Sequence, residues 1–206
     1  MPKAVVFRLE SYLSYLGQLR NAGKITATSE ELAKLFGISS SRVRQDLLAL
    51  GAIGKPRSGY NISELEHMIT KSLDVHNIKR IALIGFGNLG RALAGSEVWT
   101  EGGFDLRAIF DNNQSVIGTE IHGMKVRSIT ELFGVIKSEG IDTACITVPA
   151  VAAQGVADLL ITAGVRGIWN FAPIEIKVPE GVKVENQHLA QGLMTLSYRL
   201  KGTENP

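Results

Sequence analysis

The chain has 206 residues, of which 45% are hydrophobic, and its formal net charge is +2. No apolar run reaches the length of a transmembrane helix, and charges interrupt the N-terminal segment too early for a signal peptide. We therefore expect a soluble, cytoplasmic protein without a membrane partner. The length favours one medium and one small domain over a dehydrogenase with a large substrate domain. The single cysteine, Cys145, excludes an intrachain disulfide; it is interpreted as a core residue, with a thiol redox switch as the alternative.

Positive charge is concentrated at the N-terminal end of the chain. Residues 1–60 contain nine Lys or Arg and four Asp or Glu, whereas the other residues contain thirteen and sixteen. The segment at +5 is a candidate binder of a polyanion such as DNA. A solvated basic face is the alternative, so the helix pattern has to decide between them.

Two helices are predicted at the start of this basic segment. Apolar residues at helical spacing run from about Phe7 to a stop at Asn21-Ala22-Gly23. Thr28 and Glu31 have the spacing of a capping box, which predicts a short second helix that Gly37 ends.

A third predicted helix follows almost at once and carries polar residues on its outer face. Val43, Leu47 and Leu50 form its apolar stripe. A short helix, a turn and such a helix form a helix-turn-helix, whose second helix lies in the major groove of DNA. Arginine can pair with guanine and glutamine with adenine, while hydroxyls at a helix N-terminus suit phosphates. The candidate DNA contacts on this helix are Ser39, Ser40, Ser41, Arg42, Arg44 and Gln45.

The segment 51–60 is punctuated by glycines and resembles a hairpin wing. Its Lys55 and Arg57 could reach the DNA backbone or the minor groove. The alternative to DNA binding is a helical packing module. Apolar residues then repeat on one helical face from Asn61 to Leu73, which predicts a connecting helix before the next domain.

The following stretch combines a strand, a tight turn and a helix. The apolar run Ile81–Ile84 leads into Gly-Phe-Gly-Asn-Leu-Gly at residues 85–90, which has the spacing of a dinucleotide-binding loop. In such a loop Gly85 allows the turn and Gly87 lets the backbone approach a pyrophosphate. Gly90 lets the helix pack closely on its strand.

Asp111 closes the next predicted strand, residues 106–110. An acidic residue at this distance from the glycines accepts hydrogen bonds from the ribose hydroxyls of the adenosine. It would also repel a 2′-phosphate. The sequence therefore predicts a site for NAD(H) rather than NADP(H).

Strands and helices alternate over the rest of the chain, which predicts an α/β fold with a Rossmann-like doubly wound parallel sheet. After a loop that follows Asp111, the predicted helices are 128–139 and 151–163, and the predicted strands are 143–147, 167–171 and 182–184. Ligands of such sheets bind at the carboxyl ends of the strands. The candidate cofactor contacts at these ends are Gly85, Phe86, Gly87, Asn88, Leu89, Gly90, Asp111, Thr147, Val148, Pro149, Asn170, Phe171 and Ala172.

The last segment, from His188 to Leu200, is predicted to be an amphipathic helix. Its apolar stripe consists of Leu189, Leu193, Leu196 and Leu200. The stripe either folds back on the sheet of its own chain or joins a dimer interface. The second alternative is favoured because helix-turn-helix proteins commonly read two half-sites as two-fold dimers.

The order of these motifs resembles the bacterial Rex family of redox-sensing transcriptional repressors. The resemblance covers nearly the whole chain and rests on the winged helix, Gly87-Asn88-Leu89-Gly90, Val148-Pro149-Ala150, Asn170-Phe171-Ala172-Pro173 and Thr195-Leu196-Ser197-Tyr198. It implies a homodimer with exchanged C-terminal helices and NAD(H) as a regulatory ligand near the dimer interface. It also implies operator DNA that is released when NADH accumulates. Pro149, Asn170, Phe171 and Ala172 match family positions near the nicotinamide.

The chain departs from the family pattern in three places. In the wing, family members often have Gly-Lys-Arg-Gly-Val-Gly-Tyr, whereas residues 54–60 of this chain read Gly-Lys-Pro-Arg-Ser-Gly-Tyr. Its third helix reads Arg44-Gln45-Asp46-Leu47-Leu48-Ala49-Leu50-Gly51, where family members often have Arg-Arg/Lys-Asp-Phe-Ser-Tyr-Phe-Gly, so we expect a different operator. A basic residue, a tyrosine and an aspartate that are often linked in the family are Ser14, Ser96 and His188 here. Because no acidic residue stands at His188, NAD+ is expected to be a poor competitor of NADH.

We expect three segments: a winged-helix DNA-binding domain with its connecting helix at 1–77, a Rossmann NAD(H)-binding domain at 78–186, and a C-terminal dimerisation helix and tail at 187–206. The rival functions are an NAD-dependent oxidoreductase and a DNA-binding protein that does not sense nucleotide. Neither His122 nor His188 lies in a recognisable hydride-transfer arrangement, so we expect no enzyme and no metal site.

Overall fold

The computed structural model describes residues 1–55, 58–75 and 77–201. The chain divides into two compact units, Met1–Asn77 and Ile78–Pro206, which we call the N-terminal unit and the C-terminal unit. Arg57, a predicted wing contact, lies outside the described residues.

The N-terminal unit combines helices with two very short strands. Its elements are α1 (Lys3–Asn21), β1 (Thr26–Ala27), α2 (Ser29–Phe36), α3 (Ser40–Leu48), β2 (Tyr60–Asn61) and α4 (Ile62–Ser72). The Thr28 hydroxyl accepts a hydrogen bond from the Glu31 N–H, and the Glu31 carboxylate accepts one from the Thr28 N–H, so the expected capping box opens α2. Gly37 ends α2 in the left-handed conformation, with φ 60°. Helices α2 and α3 thus form the predicted helix-turn-helix.

One face of each of these helices packs into a shared core. Its fully buried side chains include Leu9, Tyr12, Leu16, Leu32, Val43, Leu47, Leu65 and Ile69. Leu50, the predicted third member of the α3 stripe, lies beyond the end of the helix and is only half-buried. Asp46 is buried on α3 instead, on the same face as Val43 and Leu47.

An antiparallel pairing that the sequence did not predict ties the wing to the segment between α1 and α2. Strand β1 pairs with β2, with Thr26 opposite Asn61 and Ala27 opposite Tyr60. Lys55 forms an antiparallel bridge with Gly59 inside the wing. A strand of two residues carries no detectable alternation of polar and apolar side chains, so only the fold reveals it.

The C-terminal unit alternates strands and helices as predicted. Its elements are β3 (Lys79–Ile84), α5 (Asn88–Ala94), α6 (Val98–Glu101), β4 (Phe104–Asp111), β5 (Glu120–Ile121), β6 (Met124–Ser128), a 3-10 turn (Ile129–Glu131), α7 (Leu132–Glu139), β7 (Thr143–Ile146), α8 (Ala150–Thr162), β8 (Gly167–Asn170), β9 (Lys183–Asn186) and α9 (Leu189–Lys201).

The strands form one sheet in the order β5-β6-β4-β3-β7-β8-β9. All neighbouring pairs are parallel except β5 with β6. The strand order reverses direction at β3, so the crevice beyond the ends of β3 and β7 is the topological switch point, where such folds bind ligands.

Side chains of the central strand alternate between two core layers. Ala82 and Ile84 pack with residues of α7 and α8 on one face of the sheet, and Ile81 and Leu83 pack on the other face with Trp99 of α6. Cys145 is completely buried in the second layer, and burial raises the pKa of its thiol to about 12. The thiol is thus a core group and has little thiolate character, which argues against the alternative of a redox switch.

The loop predicted after Asp111 instead contains two strands. Strands β5 and β6 form a hairpin, and β6 pairs in parallel with β4, with Ser128 opposite Asp111. These strands are short and half-exposed, so the alternation of their polar and apolar side chains was too weak to predict them. The pairing places Ser128 beside the end of β4, at the edge of the predicted ribose site.

Helix α9 is amphipathic but contributes no buried residue. Over Leu189–Lys201, the large apolar side chains are all at least half exposed, from 54% for Leu196 to 79% for Tyr198. The alternative that this stripe folds back on the sheet of its own chain is therefore wrong. Across residues 1–55, 58–75 and 77–201, no helix has the length and apolar content that a membrane span needs.

Candidate nucleotide and DNA sites

The loop between β3 and α5 has the backbone geometry that its three glycines suggested. Gly85 adopts a positive φ of 99°, and a Cβ placed on it would lie 2.9 Å from the carbonyl oxygen of Thr147. A Cβ on Gly90 would collide with the carbonyl oxygen of Gly85. Two of the glycines are thus required by the close approach of strand, loop and helix.

Gly87 differs from the other two glycines because the position of an added Cβ is unoccupied. A Cβ on this residue would meet no atom within 4 Å, and its φ of −75° is open to any residue. The protein itself therefore does not need a glycine here. The free space fits the expected role, in which the backbone approaches a phosphate group of a ligand.

Asp111 is hydrogen bonded to the loop from the end of β4. Its Oδ2 accepts a hydrogen bond from the Phe86 N–H at 2.5 Å, and its Oδ1 accepts one from the Asn113 N–H at 2.8 Å. Each carboxylate oxygen can accept a further hydrogen bond. The half-buried Asp111 can therefore hold the loop and bind hydroxyl groups of a ligand at the same time.

Thr147 fixes the end of β3 from the neighbouring strand. Its hydroxyl lies 2.8 Å from the carbonyl oxygen of Gly85 and 3.1 Å from that of Ile84, so it donates to this pair of acceptors. Val148 beside it is half-buried, and Pro149 is exposed at the start of α8. Thr147 thus positions the loop, while the two following residues leave apolar surface at the switch point.

The side chain of Asn170, a predicted cofactor contact, lies at the end of β8. This side chain is fully buried. Its Oδ1 accepts from the Ala172 N–H at 2.9 Å, and its Nδ2 donates to the Ile174 carbonyl at 2.8 Å and to Asn186 at 2.9 Å. Asn170 therefore shapes the turn after β8 because its polar atoms are bound inside the protein.

The remaining candidate cofactor contacts differ in how exposed their side chains are. Phe86 and Ala172 are buried, with 3% and 2% exposed, so only their backbone can face a ligand. Asn88 is exposed, whereas Leu89 and Phe171 are half-buried. The Phe171 ring packs edge-on against Trp169, with centroids 4.5 Å apart. Phe171 is thus the aromatic candidate that keeps accessible surface.

Sequence reasoning missed Arg91, which follows Gly90 directly. Its Nε donates to the Phe86 carbonyl at 3.1 Å, and its guanidinium lies 5.2 Å from the centre of the Phe86 ring. The exposed Arg91 side chain therefore stabilises the loop from its solvent side. An arginine directly after the third glycine was the available signal.

The outer face of α3 is exposed as expected. Ser39 caps the helix by accepting a hydrogen bond from the Arg42 N–H, while Ser41, Arg42 and Gln45 are exposed. The Arg44 Nη1 lies 3.2 Å from the hydroxyls of Ser29 and Ser40 and 3.6 Å from a carboxylate oxygen of Glu30. Among the described residues the contacts of Arg44 use Nη1, which leaves the edge with Nε and Nη2 for a base.

The inner face of α3 carries an ion pair that the sequence interpretation did not identify. The Asp46 carboxylate accepts two hydrogen bonds from Arg8 of α1, at 2.6 and 2.8 Å, and one from the Tyr12 hydroxyl at 3.1 Å. Burial opposes ionisation of Asp46, but the hydrogen bonds and the Arg8 charge outweigh it and lower the pKa of this carboxyl. The pair anchors the recognition helix to α1. The spacing of Asp46 from Val43 was the available signal.

Two departures from the family pattern have simple local surroundings. Ser96 is exposed and accepts a hydrogen bond from the Val98 N–H at 3.2 Å, and Ser14 is exposed on α1. His122 adopts a positive φ of 48° in the turn between β5 and β6, and its ring lies against Gly95. Within the described part of the chain, no three His, Cys, Asp or Glu side chains are grouped to hold a metal ion.

Known proteins resemble both units of the chain. A family described as "Putative DNA-binding protein N-terminus" matches residues 1–47, and one described as "CoA binding domain" matches residues 76–174. The redox-sensing transcriptional repressor Rex of Clostridium botulinum (strain Alaska E43 / Type E3) is 42% identical over 197 residues, which cover 96% of this chain and 94% of the relative. Rex of Clostridium botulinum (strain Hall) is 40% identical over 201 residues, which cover 98% and 96%.

Solved structures of the Rex-family repressor RSP have the same fold over nearly the whole chain. RSP in complex with β-NADH has a TM-score of 0.90 and 37% identity, and the match covers 99% of this chain and 96% of RSP. RSP in complex with β-NAD+ and operator DNA has a TM-score of 0.91 and 38% identity, with 99% and 94% covered. These matches confirm the predicted α/β fold with an N-terminal DNA-binding region, and the relatives are repressors rather than enzymes. The chain belongs to the Rex family of redox-sensing transcriptional repressors.

Proposed function

We propose that this chain is a cytoplasmic, homodimeric repressor that binds operator DNA through its N-terminal unit and NAD(H) through its C-terminal unit, and that NADH releases the DNA. The observation that carries the proposal is the presence in one chain of an exposed recognition helix and a glycine loop with free space at Gly87. RSP, which is similar over the whole chain, has solved complexes with NADH and with NAD+ plus operator DNA.

The residues at the switch point fit a dinucleotide. The open direction at Gly87 lets the backbone N–H groups of the loop approach the pyrophosphate. The free lone pairs of Asp111 accept hydrogen bonds from the adenosine ribose, and a 2′-phosphate would meet a carboxylate of like charge. The site therefore prefers NAD(H) to NADP(H).

The apolar residues at the same edge of the sheet favour the reduced ring. Val148, Pro149 and Phe171 enclose the nicotinamide, with Ala172 contributing backbone. The oxidised ring is cationic, and its transfer into apolar surroundings without a counter-ion is unfavourable, whereas the reduced ring is neutral. NADH therefore favours the more closed conformation of the dimer.

Operator binding uses the outer face of α3 and the wing. Arg42, Arg44 and Gln45 address base edges in the major groove. The phosphate backbone is contacted by the hydroxyls and backbone at the start of α3, from Ser39 to Ser41. The wing residues Lys55 and Arg57 reach the phosphate backbone or the minor groove.

The dimer is formed through α9. Leu193 is 71% exposed and Leu196 is 54% exposed, so this helix presents an apolar face that a second copy of the chain can cover. Exchange of α9 between the two copies would bury this face. Replacing both leucines by aspartate, as Leu193→Asp with Leu196→Asp, should yield monomers in sedimentation equilibrium and weaken operator binding.

The sensing step is tested by operator binding with and without NADH. Closure of the dimer around NADH changes the spacing of the two recognition helices, which must match the DNA helical repeat. Saturating NADH should therefore raise the dissociation constant of the operator by about 5- to 150-fold, and the operator should weaken NADH binding by the same factor. NADPH at the same concentration is the control. An operator affinity that NADH leaves unchanged would refute sensing even if both ligands bind.

The competition between NAD+ and NADH depends on three departures from the family pattern, at Ser14, Ser96 and His188. No carboxylate at position 188 is available to neutralise the oxidised ring, so NAD+ should compete poorly for the site. The protein would then report the concentration of NADH more than the NADH/NAD+ ratio. Excess NAD+ added to the NADH-bound protein should restore little operator binding.

A further inference from the structure

A cleft of about 530 Å³ lies in the N-terminal unit between the start of α2, the last turn of α3 and the wing. We call it the wing cleft, and its lining includes Arg44, Leu48, Ile53 and Lys55. It is separate from the nucleotide site, which lies in the C-terminal unit.

Two aliphatic side chains in the wing cleft are unusually exposed. Leu48 is 64% exposed and Ile53 is 84% exposed, whereas their chain neighbours Leu47 and Ala52 are buried. Single exposed apolar residues are ordinary on protein surfaces. Here two of them line one cleft, and neither is needed for the core.

The same cleft contains cationic side chains. Leu48 lies one helical turn after Arg44, so both residues are on one face of α3. Lys55 follows Ile53 by two residues and begins the antiparallel bridge of the wing. Glu30 offsets part of this charge by approaching Arg44 at 3.6 Å. The occupant of this cleft should therefore combine negative charge with a small apolar group.

We propose that Leu48 and Ile53 contact the C5-methyl groups of thymine, so that the wing cleft reads A·T pairs beside the base pair that Arg44 addresses. This inference rests on the proposed function of DNA binding. DNA supplies the required combination because its backbone is anionic and the thymine methyl is the apolar group in the major groove. An apolar peptide would leave Arg44 and Lys55 without a complementary charge.

The experiment removes one methyl group at a time. A duplex is first selected by the wild-type protein from a random pool, and each dT is then replaced by dU, which keeps the base pair and deletes the methyl. Dissociation constants are measured for the wild-type protein, Leu48→Ala, Ile53→Ala and the control Leu35→Ala. Leu35 is also an exposed leucine, at 48%, but it lies on α2 and does not line the wing cleft.

The expected result is a loss of about three- to fivefold for the wild-type protein at one or two dT positions in each half-site, the effect of one methyl group. The same replacement should change the affinity of Leu48→Ala or Ile53→Ala by less than about 1.5-fold at the matching position, and Leu35→Ala should behave like the wild type. Thermal unfolding should be unchanged in all three variants, because these side chains are exposed.

Two outcomes overturn the proposal. One is a flat profile, in which the wild-type protein binds every dU duplex as well as the dT duplex. The other is a loss that is equal in the wild-type protein and in both cleft variants. In each case the duplex is still bound, so the proposed function stands. If the wild-type protein selects no duplex at all, the proposed function fails and this inference fails with it.

Discussion

The glycine loop between β3 and α5 and the outer face of α3 are built in opposite ways. In the loop, the side chains of Asp111 and Thr147 hold the backbone, which leaves backbone and empty space for a pyrophosphate and free lone pairs of Asp111 for a ribose. On α3, the side chains of Arg42 and Gln45 are exposed, and the backbone is hydrogen bonded within the helix. A pyrophosphate is the same in every dinucleotide, and a backbone can bind it. A base sequence varies, and side chains have to read it.

This difference predicts which substitutions harm each site. The loop should be sensitive to an added methyl group and to the loss of side chains that hold it. The DNA surface should be sensitive to the loss of exposed side chains and of the ion pair beneath them.

The largest effect is expected for Gly90→Ala. Its new Cβ collides with the backbone at Gly85, so the C-terminal unit should lose about 3 kcal/mol or more of unfolding free energy, together with NADH binding. Thermal unfolding measures the first effect. Energy transfer from Trp99 and Trp169, the only tryptophans of the chain, to NADH measures the second.

Gly87→Ala is the matched control for that substitution. Its Cβ meets no protein atom, so stability should be unchanged while NADH binding weakens by roughly 30-fold or more, or about 2 kcal/mol. Gly87→Ala binding NADH as the wild type does would show that the free space is not used by the ligand.

Loss of the ion pair beneath the recognition helix should have the next largest effect. Asp46→Asn leaves Arg8 without its buried partner, and we expect the N-terminal unit to lose about 2–3 kcal/mol of stability and to bind operator less tightly. Tyr12→Phe removes only one hydrogen bond to Asp46, so it should lower the unfolding free energy less than Asp46→Asn does. Denaturant unfolding measures both losses. Equal losses for both variants would contradict a leading role for the Arg8 charge.

The same ion pair makes a prediction about pH. The pKa of Asp46 is lowered from its ordinary value of 3.8, so its contribution to stability is fully present above that value and is lost as the pH falls through the folded-state pKa. The unfolding free energy of the wild type should therefore fall more steeply below about pH 4 than that of Asp46→Asn. Parallel curves for the two proteins would show that another carboxylate dominates this region.

A smaller effect is expected for the exposed face of α3. If the Nε and Nη2 edge of Arg44 pairs with a base as proposed, Arg44→Ala should weaken operator binding by about 1–3 kcal/mol and relax the preference at that base pair. Arg20→Ala, which removes a similar exposed charge from α1, should change the affinity much less. Unchanged sequence preference in Arg44→Ala would exclude Arg44 from base reading.

The smallest effect is expected for Asp111→Ala. It removes the proposed acceptor for the ribose and one hydrogen bond that holds the loop, so NADH should bind about 1 kcal/mol more weakly. The difference in affinity between NADH and NADPH should decrease, because the carboxylate that repels the 2′-phosphate is removed. Calorimetry with both nucleotides measures these changes, and Asp105→Ala, earlier on the same strand, is the control. Equal binding of the two nucleotides to the unaltered protein would refute the role of Asp111.

The sequence by itself determined the features that depend on neighbours along the chain. The capping box of Thr28 and Glu31, the end of α2 at Gly37 and the glycine spacing from Gly85 to Gly90 could all be predicted, because backbone conformation at these positions follows from local chemistry. The alternation of strands and helices along the chain was enough to predict a parallel sheet.

Only the tertiary structure decided which polar side chains face inwards. Asp46 binds Arg8, which is 38 residues away, and Asn170 binds Asn186, so neither partner could be read from local spacing. The same holds for the short strands β1 and β5, whose existence depends on pairing with another part of the chain. Contacts between distant residues depend on how the elements pack, and the pattern of one segment does not contain that information.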